Sequence, residues 1–472
     1  MVGHKWKIEQ ENGEQVIGTT EYFPKGYDEK TIIGKTLEIL LIGCFPARMT
    51  GKVVEYLGIV SFFFQRNKGR RTMVKKKDME TFLSAANTFL SEGKKLSNDS
   101  KTVTITGQTE GVHVQVIGRN AHGNTAFVNG FFNCHHVLND KAMTFPFEEF
   151  KGVVSLIDTE DFLFSLSEDG ERKEYLNIGL SKTYKILIDD DKYARIFEED
   201  IEEAQKSAVF CVDKKDYKRI IDNTKDCLGC FTRGLDRIRV RTLASGNVVF
   251  QATDGTKAWQ GMNDDKKFDR FEGENFNEEL GFNVSLYLFK ALNRVVPKTG
   301  NAVFKVNEFR EGNKNIRASA VTDFGVVTFV EARQEFYDYP SFESLKERIL
   351  KEHTGTVKIK QSYIEKIIKT GEVMNKGQKD KKMRKIRLAF LDGDSVMQVA
   401  YFKEQEKKVL DEEFPVECTG DMPEEIFFNT KVFDCFLNTG EEYVTLMVGE
   451  GTVPVMSKTN NEIRFAAPMM IY

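Results

Sequence analysis

The stretch IRVRTLASGNVVFQATDG, residues 238–255, decides the fold class of this chain. Apolar and polar residues alternate from Ile238 to Leu243 and again from Val248 to Thr253, and Ser245-Gly246-Asn247 separates the two runs. Alternation with a period of two on both sides of a glycine-containing turn is typical of an antiparallel hairpin. The stretch therefore predicts two paired strands.

A helix is predicted on each side of this hairpin. Apolar residues recur at steps of three and four before it, and Phe282-Asn283-Val284-Ser285 follows it as a helix start in which Asn is a good N-cap. A second hairpin is predicted from Ala302–Val306 and Ile316–Ala320. Such a helical stripe lays one side of the helix on a core. The stripe consists of Tyr217, Ile220, Ile221, Thr224, Cys227, Leu228 and Phe231.

The same order of helix, hairpin, helix and hairpin recurs before and after this copy, with a period of about 140 residues. Because this period is much longer than that of solenoid repeats, three independent cores are expected. The first copy comprises the stripe Met79, Phe82, Leu83, Ala86, Phe89 and Leu90, the hairpin Val103–Thr106 with Val112–Ile117, the helix start Phe145-Pro146-Phe147-Glu148 and the hairpin Phe162–Leu166 with Tyr175–Ile178. The third comprises the stripe Ile364, Ile367, Ile368, Gly371 and Met374, the hairpin Ile386–Phe390 with Val396–Phe402, the helix start Phe428-Asn429-Thr430-Lys431 and the hairpin Tyr443–Val448 with Thr452–Ser457.

We therefore predict an α+β fold of three tandem domains, each a doubled unit of helices and antiparallel sheet. The acidic stretch from Asp189 to Ser207 and the stretch from Tyr337 to Thr356 are the predicted junctions. The second junction carries Pro340 and a short charged helix. The predicted domains are residues 73–195, 207–337 and 355–472.

Residues 1–72 match none of the three copies, and two interpretations of this extension are open. The segment is either an N-terminal addition that folds as a small, partly ordered module, or upstream sequence translated ahead of a true start at Met73. Arg70-Arg71, just before Met73, is compatible with the codons of a purine-rich ribosome-binding site, which favours the second interpretation.

Composition excludes several classes of protein. A chain with 40% apolar and 30% charged residues is globular and not disordered or fibrous. With a net charge of −4, any contact with DNA requires positive charge segregated onto one surface. The two most apolar stretches, Ile39–Phe45 and Tyr56–Phe64, are too short to cross a bilayer. Polar sequence after Lys7 does not fit a secretory signal, and seven irregularly spaced cysteines fit a reducing cytoplasm, so we expect no membrane association.

Metal and enzyme motifs give little support to a catalytic function. Cys227-x-x-Cys230 and Cys134-His135-His136 have spacings possible for zinc, but Cys227 falls on the core stripe of a predicted helix and the two groups lie in different predicted domains. The sequence contains no Walker loop, nucleophile elbow or His-Glu-x-x-His motif. We therefore predict no metal, no cofactor and no enzymatic activity; a hydrolase built on three β-rich domains is the disfavoured hypothesis.

Four short motifs in a fixed order carry a resemblance to a known family. They are Phe250-Gln251-Ala252-Thr253-Asp254-Gly255, Phe282-Asn283-Val284, Asp338-Tyr339-Pro340 and Ala467-Pro468-Met469-Met470-Ile471-Tyr472. From Met73 to Tyr472 the chain resembles the bacterial replicative sliding clamp, the beta subunit of the DNA polymerase holoenzyme. The resemblance implies a head-to-tail homodimer, in which six doubled units close a ring around duplex DNA without sequence preference. It also implies a replicative DNA polymerase and an ATP-dependent clamp loader as partners.

The resemblance further implies a pocket between the second and third domains that receives short peptides of partner proteins. An apolar groove lined by methionine adapts to several ligands. Thr256-Lys257 stands where the family commonly has His-Arg, and Ser344 or Met470 where it commonly has a basic residue. An altered peptide preference, as in a phage-encoded or divergent clamp, is therefore expected. The implied wall consists of Thr253, Gly255, Thr256, Lys257, Pro340, Ser344, Leu345, Asn429, Val432, Thr452, Pro454, Pro468, Met469 and Met470.

Cations on the polar sides of the predicted helices are the candidates for facing DNA. Ordinary solvated helix faces give the same pattern, and aspartates between the cations of the second copy favour that interpretation there. The basic run Lys376–Lys385 is interpreted as a solvated loop, or alternatively as a segment that reaches along the DNA backbone. The candidate DNA-facing cations are Lys76, Lys77, Lys151, Lys214, Lys215, Lys218, Arg219, Lys225, Lys290, Arg294, Lys366 and Lys369.

The alternative function for the chain is a scaffold of the same fold that does not close a ring.

Overall fold

The computed structural model divides the chain into two compact units. Unit 1 comprises Met1–Glu199, Arg294–Val303 and Arg317–Glu331, and unit 2 comprises Asp200–Asn293, Phe304–Ile316 and Ala332–Tyr472. The three-domain division stays a prediction. The structure describes residues 2–9, 15–20, 36–41, 48–61, 73–90, 101–108, 111–119, 125–134, 136, 138, 142–169, 173–180, 182–188, 206–229, 235–243, 248–262, 281–310, 313–334, 339–374, 384–391, 395–403, 407–437, 439–459 and 462–469.

The N-terminal extension contains four antiparallel strands that close on themselves. Strands β1 (Val2–Glu9), β2 (Gln15–Thr20), β3 (Thr36–Leu41) and β4 (Arg48–Ser61) form a barrel, because β1 pairs with both β2 and β4 and β3 pairs with the same two strands. A closed sheet has no open edge. This is the arrangement of a small folded module, and the choice between the two interpretations of residues 1–72 stays a prediction.

The first copy has the predicted elements and four further strands, β5, β8, β9 and β12. All six residues of its first helical stripe are buried, and the predicted hairpin is present, with Val103 opposite Val116. The predicted start of the second helix is wrong by two residues, because Phe145 and Pro146 lie in a strand and the helix begins at Phe147. The elements are β5 (Val74–Lys75), α1 (Lys76–Leu90), β6 (Thr102–Gln108), β7 (Gly111–Arg119), β8 (Thr125–Phe132), β9 (Met143–Pro146), α2 (Phe147–Leu156), β10 (Asp161–Glu168), β11 (Glu174–Gly179) and β12 (Thr183–Leu187).

The second copy has the predicted hairpin, but two details of its helices were predicted wrongly. Its first helix ends at Thr224, so Cys227 lies beyond the helix, although its side chain is buried. Asn283 lies in a strand, and Ser285 caps the second helix by accepting a hydrogen bond from the Tyr287 backbone N–H at 3.0 Å. Phe231 and Cys230 lie outside the described residues. The elements are β13 (Lys206–Asp213), α3 (Lys214–Thr224), β14 (Ile238–Thr242), β15 (Val248–Thr253), β16 (Lys257–Met262), β17 (Gly281–Val284), α4 (Leu286–Val295), β18 (Asn301–Arg310), β19 (Asn313–Val321) and β20 (Gly325–Gln334).

The third copy is preceded by the short charged helix that the sequence predicts, with Ser341 as its N-cap. Asn429 is confirmed as an N-cap, since its Oδ1 accepts from the Lys431 N–H at 2.9 Å, but the helix that follows is only four residues long. The elements are α5 (Phe342–Glu352), β21 (Gly355–Lys360), α6 (Gln361–Met374), β22 (Lys385–Phe390), β23 (Val396–Lys403), β24 (Lys407–Pro415), β25 (Glu417–Gly420), β26 (Glu425–Asn429), α7 (Thr430–Phe433), the 3-10 turn Asp434–Phe436, β27 (Tyr443–Val448), β28 (Val455–Lys458) and β29 (Glu462–Ala466).

In unit 1, the strands of the first copy form two antiparallel sheets. One has the order β12-β11-β10-β5, and in the other β20 pairs with β8, which continues through β7 and β6 to β9. Helix α1 packs over this second sheet, with the Phe82 ring edge-on to Phe132 at 5.6 Å between centroids. The copy therefore has the helix-on-sheet layering that the apolar stripe indicated.

In unit 2, one antiparallel sheet runs through the second and third copies. Its order is β17-β14-β15-β16-β29-β28-β27-β21-β25, and a four-stranded sheet has the order β24-β23-β22-β26. The pairing of β16 with β29, with Lys257 opposite Ala466 and Gly261 opposite Glu462, joins the two copies. We call this pairing the seam. It was not predicted, because the paired strands are about 200 residues apart and no local pattern links them.

The interior of the third copy is one apolar cluster, to which β21 and β22 each contribute alternate, buried residues. The inner face of α6, with Ile364 and Ile367 fully buried, packs with Leu388, Val399 and Phe428 in a single cluster. None of the helices within the described residues is both long enough and apolar enough to span a membrane.

Candidate functional site

The turn between β15 and β16 is held rigidly by its own side chains. Thr253 Oγ1 donates to the Lys257 carbonyl at 2.9 Å, and Asp254 Oδ1 accepts from the backbone N–H groups of Thr256 and Lys257 at 2.8 and 2.9 Å. Gly255 has a φ of +88°, a conformation that favours glycine. Gly255 and Thr256 are exposed, whereas Thr253 and Lys257 are buried. The turn thus presents only part of the predicted wall to solvent.

The Lys257 side chain crosses the seam and ends on the third copy. Its ammonium group donates to the Lys431 carbonyl at 2.8 Å and to Asp434 Oδ1 at 2.7 Å. The Lys257 side chain is 6% exposed and that of Asp434 is 30% exposed. This ion pair therefore connects the turn before β16 to α7 and the 3-10 turn.

The segment after β29 completes the contacts around this pair. The Ala467 N–H donates to the Thr256 carbonyl at 2.8 Å, and the Met469 N–H donates to the Phe427 carbonyl at 2.7 Å. Pro468 and Met469 are half-buried. The structure thus brings together three predicted parts of the wall: the turn, the start of α7 and the C-terminal segment.

The other residues predicted to line the peptide pocket differ in what they contact and in how exposed they are. Leu345 packs on the cluster that includes Phe465, and Val432 packs on the third-copy core. Pro454 precedes Val455, which pairs with Ala466, so Pro454 lies at the strand end next to the C-terminal segment. Pro340, Ser344 and Thr452 are exposed, and Met470 lies outside the described residues.

Sequence reasoning missed a buried polar network on the other side of the seam. Arg464 is 3% exposed, and it bonds Glu462 Oε2 at 2.6 Å, Asn223 Oδ1 at 2.9 Å and the Cys435 carbonyl at 2.8 Å. Arg219 Nη1 lies 3.9 Å from the second oxygen of Glu462. The available signal was the Glu-x-Arg spacing in β29, which places both charges on one face of a strand.

Burial and charge act against each other on the ionisable groups of this region. Burial lowers the pKa of Lys257, but the Asp434 carboxylate outweighs this effect and holds that pKa above its ordinary value. Burial raises the pKa of Asp434, and the Lys257 ammonium only partly offsets it. Burial also raises the pKa of the Cys227 thiol to about 12 and that of Cys134 to about 11. These thiols are therefore protonated at neutral pH and unreactive.

The candidate metal ligands do not assemble within the described residues. Cys134 and Cys227 are both buried free thiols, and no three His, Cys, Asp or Glu side chains among the residues described converge on one point. His136 is described, and its Nε2 lies 2.6 Å from the Gln108 carbonyl oxygen, whereas His135 and Cys230 lie outside the described residues.

The predicted DNA-facing cations divide into exposed groups and groups with protein partners. Lys77, Lys215, Lys218 and Lys369 are exposed on the helices or at their starts. The others include cations bonded to backbone carbonyls, to carboxylates or to a hydroxyl. Their partners are Ser155 and Ile157 for Lys76, Glu148 for Lys151, Asn293 for Lys214, Asp216 and Glu462 for Arg219, Asp222 for Lys225, Ser84 for Arg294 and Glu412 for Lys366, while Lys290 lies over the Tyr287 ring.

Comparisons of the sequence and of the structure with known proteins give different results. No protein-family model and no curated protein sequence matches the chain. Solved structures do match. The DNA polymerase sliding clamp from Pseudomonas aeruginosa is 14% identical, with a TM-score of 0.65, and covers 85% of this chain and 99% of its own. The beta subunit of DNA polymerase III from Thermotoga maritima is 17% identical with a TM-score of 0.61, and the sliding clamp from Bacillus subtilis is 11% identical with a TM-score of 0.63; both cover 85% of this chain and 99% of their own.

These likenesses extend over nearly the full length of the solved proteins while sequence identity is low. The α+β elements and antiparallel sheets described above agree with them. The chain therefore has the fold of the bacterial DNA polymerase sliding clamps.

Proposed function

We propose that this chain is a DNA sliding clamp, a processivity factor that encircles duplex DNA as a head-to-tail homodimer and catalyses nothing itself. The observation that carries the proposal is the likeness over 99% of the length of solved sliding clamps. The share of this chain that is covered, 85%, equals the share from Met73 to Tyr472 (400 of 472 residues). This equality in length supports three clamp domains at residues 73–195, 207–337 and 355–472 that follow an extension.

Edge strands of the sheets, as far as the structure describes them, support association of the chain with itself. In unit 1, β12 is the end strand of its sheet, and Lys185 and Leu187 are exposed on it. In unit 2, β24 is the end strand of its sheet; Val409 and Glu413 are exposed on it, while Asp411 forms an ion pair with Lys408. An edge strand is a template for another strand, and Lys185 on one edge and Glu413 on the other have opposite charges. We propose that β12 of one chain pairs with β24 of its partner, which gives a heterologous contact that closes into a ring.

The exposed lysines of the helices supply the contacts to DNA in this proposal. A ring is retained by topological linkage, so a few solvent-screened contacts to phosphates suffice and allow sliding. Lys77, Lys215, Lys218 and Lys369 are the strongest candidates, because the other cations include many with partners in the protein. Arg219 is the weakest candidate, because it is half-buried between Asp216 and Glu462.

The cleft of unit 2 around the turn, α7 and the C-terminal segment is proposed to hold short peptides of a replicative polymerase and other replication proteins. Half-buried Leu345, Val432 and Met469 supply apolar wall, and Gly255 and Thr256 supply an exposed rim. An apolar groove with a polar rim suits a short peptide. Because the sequence has no Walker motif, opening of the ring is proposed to depend on a separate ATP-dependent clamp loader in the cytoplasm.

Two measurements test the clamp. Light scattering at micromolar concentration is expected to give the mass of two chains, and Glu413→Lys is expected to shift it toward one chain. Adding Lys185→Glu to that variant is expected to restore the dimer. Incubation with nicked circular DNA, a bacterial clamp loader and ATP, followed by gel filtration, is then expected to leave protein on the circle, and cutting the DNA to a linear form is expected to release it. A monomer that is not retained would instead support a clamp-fold scaffold that does not encircle DNA.

A further inference from the structure

The position of Lys257 raises the question of what its charge does in the cleft. It lies in the turn whose exposed part forms the rim, yet its ammonium group points away from solvent and is bonded to Lys431 and Asp434. A buried ammonium with two partners at 2.7 and 2.8 Å has little capacity to bond a peptide as well. The residue is therefore a poor candidate for direct contact with a partner.

The two atoms that Lys257 holds lie on either side of a wall residue. Val432 stands between Lys431, whose carbonyl accepts from Lys257, and Asp434, whose carboxylate completes the ion pair. Helix α7 has only four residues, from Thr430 to Phe433, and a helix this short has little stability of its own. Fixing both ends of this short segment fixes Val432.

The buried cations beside the cleft are already paired within the protein. Lys257 is bonded to Asp434 at 2.7 Å, and Arg464 is bonded to Glu462 at 2.6 Å. A cation that is satisfied in this way has little capacity to bond an acidic side chain as well. The half-buried side chains of Val432 and Met469 are apolar, so the buried part of the cleft suits an uncharged, apolar segment.

We propose that Lys257 is a positioning residue that holds α7 in place across the seam, and that the cleft consequently selects an uncharged, apolar peptide segment. The selectivity rests on the proposed function, since it concerns the same partner cleft. The positioning of α7 does not rest on it, because it is a property of the folded chain alone.

Amide hydrogen exchange on the full chain tests whether Lys257 holds α7 in place. Lys257→Met keeps an unbranched side chain one atom shorter and removes its charge. Exchange at the Asp434 and Leu437 amides, which are bonded to α7 and the 3-10 turn, is therefore expected to speed up about tenfold or more. Lys257→Arg is expected to keep these amides protected. The matched control is Lys431→Met, which removes an exposed charge from the same helix and is expected to change nothing.

A second variant keeps the test decisive where Lys257→Met fails to fold. Asp434→Asn retains the shape of the partner while removing its charge, and it is expected to give the same local acceleration with a smaller magnitude. Unchanged exchange at the Asp434 and Leu437 amides in either folded variant would overturn the positioning role of Lys257.

Binding of two fluorescein-labelled pentapeptides tests the selectivity. The uncharged Thr-Leu-Thr-Leu-Leu is expected to bind the wild-type chain about tenfold tighter than Asp-Leu-Asp-Leu-Leu, and Lys257→Met is expected to weaken the uncharged peptide. Preference for the acidic peptide that disappears in Lys257→Met, without a change in amide exchange, would show a ligand-binding cation and overturn the proposal. Binding of neither peptide overturns the selectivity and counts against the partner cleft, while the exchange result stands independently.

Discussion

The interior of the third copy and the seam beside it are both buried, but different forces hold them. The interior brings together side chains such as Ile367, Leu388 and Phe428, whose burial is favourable whatever their precise orientation. The seam buries Lys257, Glu462 and Arg464, which are stable there only because each meets a partner at hydrogen-bonding distance. Cohesion within a copy is therefore non-directional, whereas cohesion between the copies depends on a few directed contacts.

The largest expected loss of stability comes from removing one partner of the buried Arg464–Glu462 pair in the seam. Arg464→Met leaves Glu462 buried without its main partner and is expected to cost about 3–5 kcal/mol of the free energy of unfolding. Trp259 is fully buried in β16, so its fluorescence in a Trp6→Phe background, where it is the sole tryptophan, reports on the seam during urea unfolding. The double variant with Glu462→Leu is expected to regain part of the loss, and a loss equal to the sum of the two single changes would contradict a directed pair.

A change in the third-copy interior is expected to cost somewhat less. Ile367→Ala removes three buried carbons from α6 and is expected to destabilise the chain by about 3 kcal/mol, with Ile367→Val near 1 kcal/mol. Urea unfolding followed by far-ultraviolet circular dichroism measures both. The cost should grow smoothly with the volume removed; a loss in Ile367→Val as large as that in Ile367→Ala would point to a directed contact here as well.

The first copy extends the comparison to a buried group that changes charge with pH. Burial lowers the pKa of His113 from 6.5 to about 4, so the unfolded chain takes up a proton at a higher pH than the folded chain. Stability from this group is fully present above pH 6.5 and is lost as the pH falls toward 4, by at most about 3 kcal/mol. The thermal midpoints of wild type and His113→Gln, compared from pH 7.5 to 4.5, are expected to draw together as the pH falls. A constant difference between them would show that His113 does not titrate in this range.

The smallest effect concerns the ends of two corresponding helices. Asn429 caps α7 and Ser285 caps α4, and replacing either by Ala is expected to cost about 1 kcal/mol. Asn429→Asp keeps the acceptor oxygen and is expected to be nearly neutral. Urea midpoints measure these changes, and loss of Asn429 should also raise amide exchange within α7, since that helix is so short. Equal exchange in Asn429→Ala and wild type would mean that the seam alone holds α7.

The elements with a clear period were predictable, and those without one were not. The stripe of α1 and the hairpins of all three copies are where the sequence placed them, because burial of one face imposes a period of two or 3.6 on the sequence. The third strands β8, β16 and β24 were missed, as was the barrel of the first 61 residues. The sequence pattern predicts Asn283 as a helix cap, but the residue pairs with Arg239 in a strand, where asparagine also occurs.

The residues of the candidate site also divide into those that the sequence predicts and those that it does not. The turn at Gly255, the cap at Asn429 and the C-terminal segment could be named in advance through the family resemblance. The partner of Lys257 could not, because Asp434 lies 177 residues further along the chain and nothing in its local sequence distinguishes it from a solvated aspartate. Arg219 looked like an exposed helix cation, and only the fold places it against Glu462.

The sequence by itself determined the α+β class, the threefold recurrence and most of the helix faces. These follow from local periodicity, which records how each segment meets its own core. Only the tertiary structure decided that β16 pairs with β29, and that Lys257 meets Asp434, Arg464 meets Asn223 and Glu462 meets Arg219 across the seam. A directed contact between distant residues leaves no periodic trace in either of them, so it becomes visible only once the fold has brought them together.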